Sequence, residues 1–158
     1  MQGAFCAFLD ASVLYPVSLR NLLMRLTIED LYQARWSAHV HEEWVRAVAR
    51  DNPGSPIERL HCTQYATPWM WKRNALVPGY EDLIEALTLP DPNDRHVLAA
   101  AIVARADVIV TCNLRHFPEA ALDPYDMEAQ HTRTNSSAIC STWPRSLWSM
   151  RCVRSRPG

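Results

Sequence analysis

The chain has 158 residues, 48% of them hydrophobic and 21% charged, with a formal net charge of −1 at pH 7. This length and composition are typical of one globular domain with a real core, and they exclude a disordered chain for its body. No apolar stretch reaches the length of a membrane span, and the first residues lack the basic and apolar regions of a signal peptide, so we expect no membrane association.

The cysteines and the charge distribution narrow the class of protein. The five cysteines are odd in number and show no C-x-x-C spacing, so reduced thiols in a cytoplasmic protein are the simplest interpretation. Residues 1–130 hold all 17 acids and 11 of the 16 basic residues, whereas residues 131–158 hold five arginines and no acid. The body is therefore not a general polyanion binder, and any contact with nucleic acid must be made locally, around an acidic centre.

The first third of the chain predicts strand, helix, strand and helix. Residues 4–9 are a continuous apolar run, as in a strand that is buried on both faces. Pro16 suits the first turn of a helix, and residues 32–36 alternate enough for a short strand. Ser37 can cap the helix that follows, and residues 51–56 end it. The apolar stripes are Leu19, Leu22, Leu23 and Leu26 in the first helix and Val40, Trp44, Val45 and Val48 in the second.

The rest of the body predicts helix and strand again. A helix is expected over residues 57–66, and residues 69–79 are hard to assign. Residues 80–87 are weakly helical, and a small-residue helix over residues 97–106 precedes a buried strand over residues 108–111. Alternating helices and apolar strands predict an α/β sandwich with a mainly parallel sheet.

Two aspartates stand beside these predicted elements. Asp10 closes the first strand, and Asp94 precedes the small-residue helix. An aspartate at the carboxyl end of a strand faces the crevice where open parallel sheets bind ligands. Acids that meet there repel one another unless a cation lies between them, which indicates a divalent metal and phosphodiester chemistry. Each also has a purely structural interpretation, because Asp10 could cap a helix and Asp94 could complement a helix dipole.

Other polar residues are expected near the same crevice. The Ser12 hydroxyl could steady Asp10, and Asp91 precedes the same helix as Asp94. Thr111 and Asn113 follow the last predicted strand, and Asn113 can offer a carbonyl oxygen to a metal or its water. His116 could be a base or a ligand, although a lone loop histidine is more often neither.

The helix over residues 38–50 carries an acidic pair, Glu42 and Glu43. A solvated acidic face is the usual meaning of such a pair. Glu43 lies next to the apolar stripe, three residues after Val40, whereas Glu42 lies further toward the polar side. Glu43 is therefore the better candidate for pointing inward.

Four segments, taken in order, resemble the motifs of a PIN domain, in particular those of the toxin-like (VapC-like) branch of prokaryotic PIN proteins. They are the DASVL run from Asp10, the Glu43-Trp44 pair, Asp94 with the VLAAA run after it, and the VTCN run that contains Thr111. The similarity covers about residues 4–130. The resemblance implies a three-layer α/β/α sandwich and a ribonuclease that depends on Mg²⁺ or Mn²⁺. It also implies a toxin that a small antitoxin protein neutralises, and a homodimer.

The resemblance also implies roles for individual residues. Asp10, Glu43 and Asp94 would be the catalytic acids and the metal ligands, with supporting roles for Ser12, Thr111 and Asn113. The sequence departs from the family pattern in one respect. PIN domains often carry a fourth acid in the loop after the last strand beside the metal, where this chain has Asn113 and His116. Asp91 could substitute, or three acids could suffice.

The chain is accordingly predicted to be a metal-dependent endoribonuclease of the toxin type. RNA would be its substrate, and Arg95 and Arg115, which flank the site, could position backbone phosphates. The alternative is a PIN-like interaction module without catalytic activity, which the incomplete acid set and the atypical residues 131–158 favour. A phosphatase with an aspartate nucleophile is a weaker rival, because Ser12 stands where a second aspartate is needed.

The segment 131–158 breaks the pattern of the body, which residues 1–130 form as a PIN-like domain. It has neither helical nor strand periodicity, and it mixes Trp and Met with arginines and serines. It could be a basic arm for RNA or a disordered terminus. Suitable codons for residues 131–153, read two bases out of frame, give HPDEFVRHLLDLAPESVVDALR, which has a helix start and amphipathic spacing. We hypothesise that a frameshift near residue 131 replaced native C-terminal helices.

Overall fold

The computed structural model describes residues 5–54 and 75–132. Four strands form one sheet in this part of the chain, namely β1 (Cys6–Leu9), β2 (Gln33–Arg35), β3 (Val108–Thr111) and β4 (Glu128–His131). Every pair is parallel and the order is β2-β1-β3-β4. The parallel sheet predicted from the sequence is confirmed.

The helices of the described segments are α1 (Ala11–Leu14), α2 (Val17–Ile28), α3 (Ala38–Asp51), α4 (Arg95–Ala104) and α5 (Glu119–Leu122). Short 3₁₀ turns lie at Glu81–Leu83, Pro92–Asp94, Leu114–His116 and Asp123–Tyr125. The helix expected over residues 57–66 lies outside the described residues, as do the first residues of the 69–79 segment and nearly all of the tail. None of the helices described has both the length and the apolar character that a membrane crossing requires.

The two long helices of the first half form where their caps and apolar stripes predict. The Ser37 hydroxyl accepts a hydrogen bond from the Val40 backbone N–H at 3.2 Å and caps α3. In α2 the stripe is partly wrong, because Leu22 is 44% exposed while Leu23 is buried. The buried face of α2 also contains Met24 and Thr27, so Leu22 lies to one side of it.

The core shows that both faces of the sheet are covered. All residues of β1 and β3 are buried, although successive side chains of a strand point to opposite faces. The sheet is therefore the central layer of an α/β/α sandwich, as expected. Helix α4 packs near β1 with Ala99, Ala100 and Ala101 fully buried. It begins at Arg95, two residues before the predicted start, and ends before Arg105, which adopts a left-handed conformation with φ 51°.

The strand order places a ligand crevice beside β1. From β1 the chain moves to β2 on one side, whereas β3 and β4 lie on the other side. The order thus reverses between β1 and β3, and such a switch point leaves a crevice at the carboxyl ends of the strands. Asp10 follows β1 directly, and its backbone N–H donates to the Val110 carbonyl at 3.1 Å. The end of β1 is in this way fixed to the end of β3.

Candidate active site

Asp10 is held in a network at the ends of β1 and β3. Its side chain accepts hydrogen bonds from the Ala11 backbone N–H at 2.7 Å, the Ser12 hydroxyl at 2.7 Å and the Thr111 hydroxyl at 2.8 Å. The residue is only 5% exposed. The two hydroxyls in turn accept from the backbone N–H groups of Cys112 and Asn113, each at 3.0 Å. Asp10 is therefore a helix cap and also a buried carboxylate at the switch point, so the two interpretations of this residue are compatible.

Asp94 lies at the start of α4 and contacts His116. The His116 Nδ1 and an Asp94 carboxylate oxygen are 2.5 Å apart. Burial raises the pKa of Asp94, the hydrogen bond from His116 opposes that shift, and the negative charge of Asp10 adds to it. The influence of Asp10 means that the two predicted acids lie in one electrostatic environment. His116, which is more often a bystander in such a loop, is thus a partner of a predicted acid.

Glu43 reaches the same region through a second histidine. One of its carboxylate oxygens lies 3.0 Å from the Nε2 of His96, a buried residue two positions after Asp94. The Glu43 side chain is 42% exposed, so it is not the buried residue that its place beside the apolar stripe suggested. Glu42 is 55% exposed and pairs with Arg46 at 2.7 Å on the same helix. Of the two acids, Glu43 is the one that the fold connects to the α4 terminus.

Asp91 has both a local and a longer-range role. One of its oxygens accepts from the Asn93 backbone N–H at 2.9 Å and caps the 3₁₀ turn before α4. Asp91, Asp94 and His116 also each offer a donor atom, and these atoms all lie within 4.8 Å of one another. The three residues are partly buried. Asp91 therefore belongs to the group of acids around the crevice.

The remaining predicted residues are less closely tied to the acids. Asn113 is exposed, and within the described segments its side chain makes no hydrogen bond to an acid. Arg115 is exposed, while the buried Nε of Arg95 has no hydrogen-bond partner among the residues described. The role of both arginines in binding phosphate stays a prediction.

The sequence interpretation missed two contacts and one cavity. His96 had no assigned role, and its closeness to Asp94 in the chain was the only available signal. The sequence marks His116 as a candidate base or ligand but does not indicate that Asp94 is its partner. A cavity of about 550 Å³ opens beside Ser12 and Glu43. Its lining residues are Ala11, Ser12, Tyr15, Glu43, Trp44, Arg46, Ala47, Arg50 and Asp51.

The charges of the site fit a divalent cation. In the part of the chain that the structure describes, no Lys or Arg forms an ion pair with Asp10, Asp91 or Asp94. Clustered carboxylates that have no Lys or Arg partner repel one another, and carboxylate oxygens are the ligands that Mg²⁺ and Mn²⁺ prefer. The donor set therefore suits such an ion.

Comparison with known proteins agrees with these observations. Over 53 residues the chain is 58% identical to the protein named "Putative ribonuclease VapC50" from Mycobacterium tuberculosis, which confirms the VapC-like resemblance. That match covers 34% of this chain and 31% of the relative. The chain therefore spans about a third of the length of the relative that it matches. No solved structure matches significantly. The profile of the PIN domain matches residues 6–115, the greater part of the chain, and the chain therefore belongs to the PIN domain family.

Proposed function

We propose that the chain is a metal-dependent endoribonuclease that hydrolyses RNA phosphodiester bonds, and that it is the toxin of a type II toxin–antitoxin module. The observation that carries the proposal is the group of carboxylates around the switch point, Asp10, Glu43 and Asp94, none of which forms an ion pair with Lys or Arg within the described segments. The similarity to a protein named as a ribonuclease supports RNA as the substrate.

In this proposal the acids hold a Mg²⁺ or Mn²⁺ ion, with Asp91 as a possible further ligand. Such an ion would neutralise the scissile phosphate and activate a water molecule for in-line attack. The protein's own part is to hold the carboxylates in place before substrate arrives. Ser12 and Thr111 do so for Asp10, since both hydroxyls donate to the same carboxylate oxygen.

Substrate contacts would come from basic residues around the acids. Arg95 and Arg115 lie close in sequence to Asp94 and His116, and two further arginines, Arg46 and Arg50, line the cavity beside Glu43. Positive groups of this kind bind the phosphates on either side of the cleaved bond and do not read the base sequence.

The proposed partners are an antitoxin protein and a second copy of this chain, and the proposed location is the cytoplasm. The similarity to a protein named VapC supports an antitoxin as partner. Light scattering behind size-exclusion chromatography measures the mass in solution. A mass of twice 18.0 kDa is expected for the homodimer.

The second candidate, a PIN-like interaction module without activity, is favoured by one observation. Glu43 and Asp94 are each already engaged by a histidine, His96 and His116 respectively. An inactive module has no need to bind a divalent cation, whereas the nuclease must bind one through these acids.

The test compares the parent chain with the double variant Asp10→Asn, Asp94→Asn on single-stranded RNA, structured RNA and DNA, with Mn²⁺ or EDTA. Glu42→Gln is the matched control, because Glu42 is a neighbouring acid that is exposed and pairs with Arg46 on the surface of the same helix. We expect RNA cleavage by the parent and the control that requires Mn²⁺, and none by the double variant. Cleavage in EDTA contradicts metal dependence. A folded parent that neither binds Mn²⁺ nor cleaves RNA indicates the interaction module.

A further inference from the structure

The donor set at the start of α4 includes a nitrogen atom. Asp91 caps the 3₁₀ turn Pro92–Asp94, which Asp94 ends, and His116 ends the turn Leu114–His116 after β3. Two separate segments of the chain thus bring a carboxylate, a second carboxylate and an imidazole together. Their donor atoms lie within 4.8 Å of one another. Metal sites are built in this way, from side chains that different elements direct to one point.

The spacing of these donors is compatible with one shared ion. Two neighbouring ligands of an octahedral ion with bonds of about 2.1 Å lie about 3 Å apart. The His116 Nδ1 and the Asp94 oxygen are 2.5 Å apart, joined by a hydrogen bond. A cation that takes the place of the shared proton, which would leave to solvent, requires the two atoms to separate by only about half an ångström.

The surroundings of Asp94 favour the binding of a cation. Asp94 is partly buried, and in the described segments His116 is the one basic group that forms an ion pair with it. No Lys or Arg ion pair of the described segments reaches Asp91 or Asp94. His116 is thus well placed to complete a coordination sphere that the acids begin.

We propose that His116 is a direct ligand of the divalent cation, together with Asp91 and Asp94, and that its nitrogen makes the site select Mn²⁺ over Mg²⁺. The inference rests on the proposed function, because Asp94 is a metal ligand in both. Mg²⁺ favours oxygen ligands alone and keeps its waters, whereas imidazole strengthens the binding of transition-metal ions. PIN domains often carry an acid in this loop. An imidazole in its place removes a negative charge that would strengthen the binding of a hard cation such as Mg²⁺.

The experiment loads the metal-free protein with Mn²⁺ and records electron spin-echo modulation, which detects a nitrogen bound directly to Mn²⁺. Calorimetry measures the affinity for Mn²⁺ and for Mg²⁺. Three variants are compared with the parent. His116→Asp supplies oxygen donors, His116→Gln keeps a hydrogen-bond donor for Asp94 but is a poor ligand, and Asp82→Asn is a control at an exposed acid of another turn. Circular dichroism of each metal-free variant reports whether it is folded.

The parent is expected to show the nitrogen signal and to prefer Mn²⁺. Both His116 variants should lose the signal, and His116→Asp should reduce the preference for Mn²⁺ over Mg²⁺ by about tenfold or more. Mn²⁺ bound through oxygen alone, or a nitrogen signal that persists in folded His116→Asp, overturns the ligand role of His116 and leaves the nuclease proposal standing. A parent that binds no divalent cation overturns both.

Discussion

At the scale of single residues, Asp10 combines a structural and a chemical task. One carboxylate oxygen caps α1 through the Ala11 N–H, and the other accepts from two hydroxyls. An asparagine can keep the cap through its remaining oxygen, and the hydroxyls of Ser12 and Thr111 can rotate to accept from its amide. What an asparagine cannot keep is the negative charge.

The variant Asp10→Asn is therefore expected to fold and to be inactive. We expect it to lose about 1 kcal/mol of unfolding free energy, the usual net value of one hydrogen bond, and to lose metal-dependent RNA cleavage. Urea denaturation and the cleavage assay measure the two quantities separately. Full activity in this variant would remove Asp10 from the mechanism.

Glu42 and Glu43 are neighbours that offer a matched comparison. Glu43 contacts buried His96 at 3.0 Å, whereas Glu42 contacts Arg46 on the exposed face of α3. If Glu43 is a metal ligand, Glu43→Gln should weaken Mn²⁺ binding by about tenfold or more, and Glu42→Gln should leave it unchanged. Calorimetry checks both. Equal effects of the two variants would show that only the total charge of α3 matters.

Asp94 should make the stability of the metal-free protein depend on pH. Folding raises the pKa of this carboxyl through burial, so between its unfolded and folded pKa values the folded state binds more protons than the unfolded state. Unfolding free energy therefore falls as the pH rises through that interval, and the Asp94 contribution is fully present only below the unfolded pKa. Asp94→Asn should flatten this fall, as measured by urea denaturation in EDTA from pH 3 to pH 8. An unchanged pH profile in the variant would contradict it.

At the scale of elements, α4 positions the site through its small residues. Ala99, Ala100 and Ala101 are fully buried, and they let the helix that carries Asp94 lie close to the sheet that carries Asp10. The packing of this helix on the sheet therefore sets the distance between the predicted ligands Asp94 and Asp10. A bulkier residue at its buried face would force the helix outward.

Ala100→Val is expected to lower the unfolding free energy by about 1–3 kcal/mol, because extra carbon atoms have no room in a packed core. The matched control is Val103→Ile, which also adds carbon at an exposed position of the same helix. Thermal or chemical denaturation compares the two. An unfolding free energy of Ala100→Val within about 0.5 kcal/mol of the parent would contradict close packing of α4 against the sheet.

The elements that the sequence predicts well are those with strong local patterns. The apolar runs of β1 and β3 and the cap and stripe of α3 are visible in single windows of sequence. The error at Leu22 arose because its spacing of three from Leu19 fits a stripe, while the face that packs on the core is decided by neighbours distant in sequence. The predicted start of α4 is two residues too late for a related reason, since the 3₁₀ turn Pro92–Asp94 leads directly into the helix.

The site was predictable only in its acids. Asp10 and Asp94 stand beside predicted strand and helix ends, so topology alone brings them to one crevice. The contacts of Glu43 with His96 and of Asp94 with His116 join residues 53 and 22 positions apart. No periodicity records which histidine reaches which acid. These partners depend on how α3, α4 and the loop after β3 pack.

At the scale of the whole molecule, β4 connects the body to the tail. In the described sheet β4 stands at the end of the order β2-β1-β3-β4, and its last residue, His131, is the first residue of the atypical segment. The body is acidic and the tail is basic and free of acids. The proposed frameshift at this junction accounts for the change in composition and for the loss of periodicity together.

If the shift is real, the peptide HPDEFVRHLLDLAPESVVDALR belongs after residue 130 in place of residues 131–158. Its leucines and valines have the spacing of an amphipathic helix, and each such side chain that is buried against the body contributes about 1.5–3 kcal/mol. We expect this variant to have a higher unfolding free energy, by about 2 kcal/mol or more, than the parent and than a control that carries the same residues in scrambled order. Chemical denaturation compares the three. Equal stability of the ordered and scrambled peptides would reject a specific helix at this position, and a stop codon in the shifted frame of the gene would reject the frameshift itself, because the native chain could not then continue beyond residue 130 in that frame.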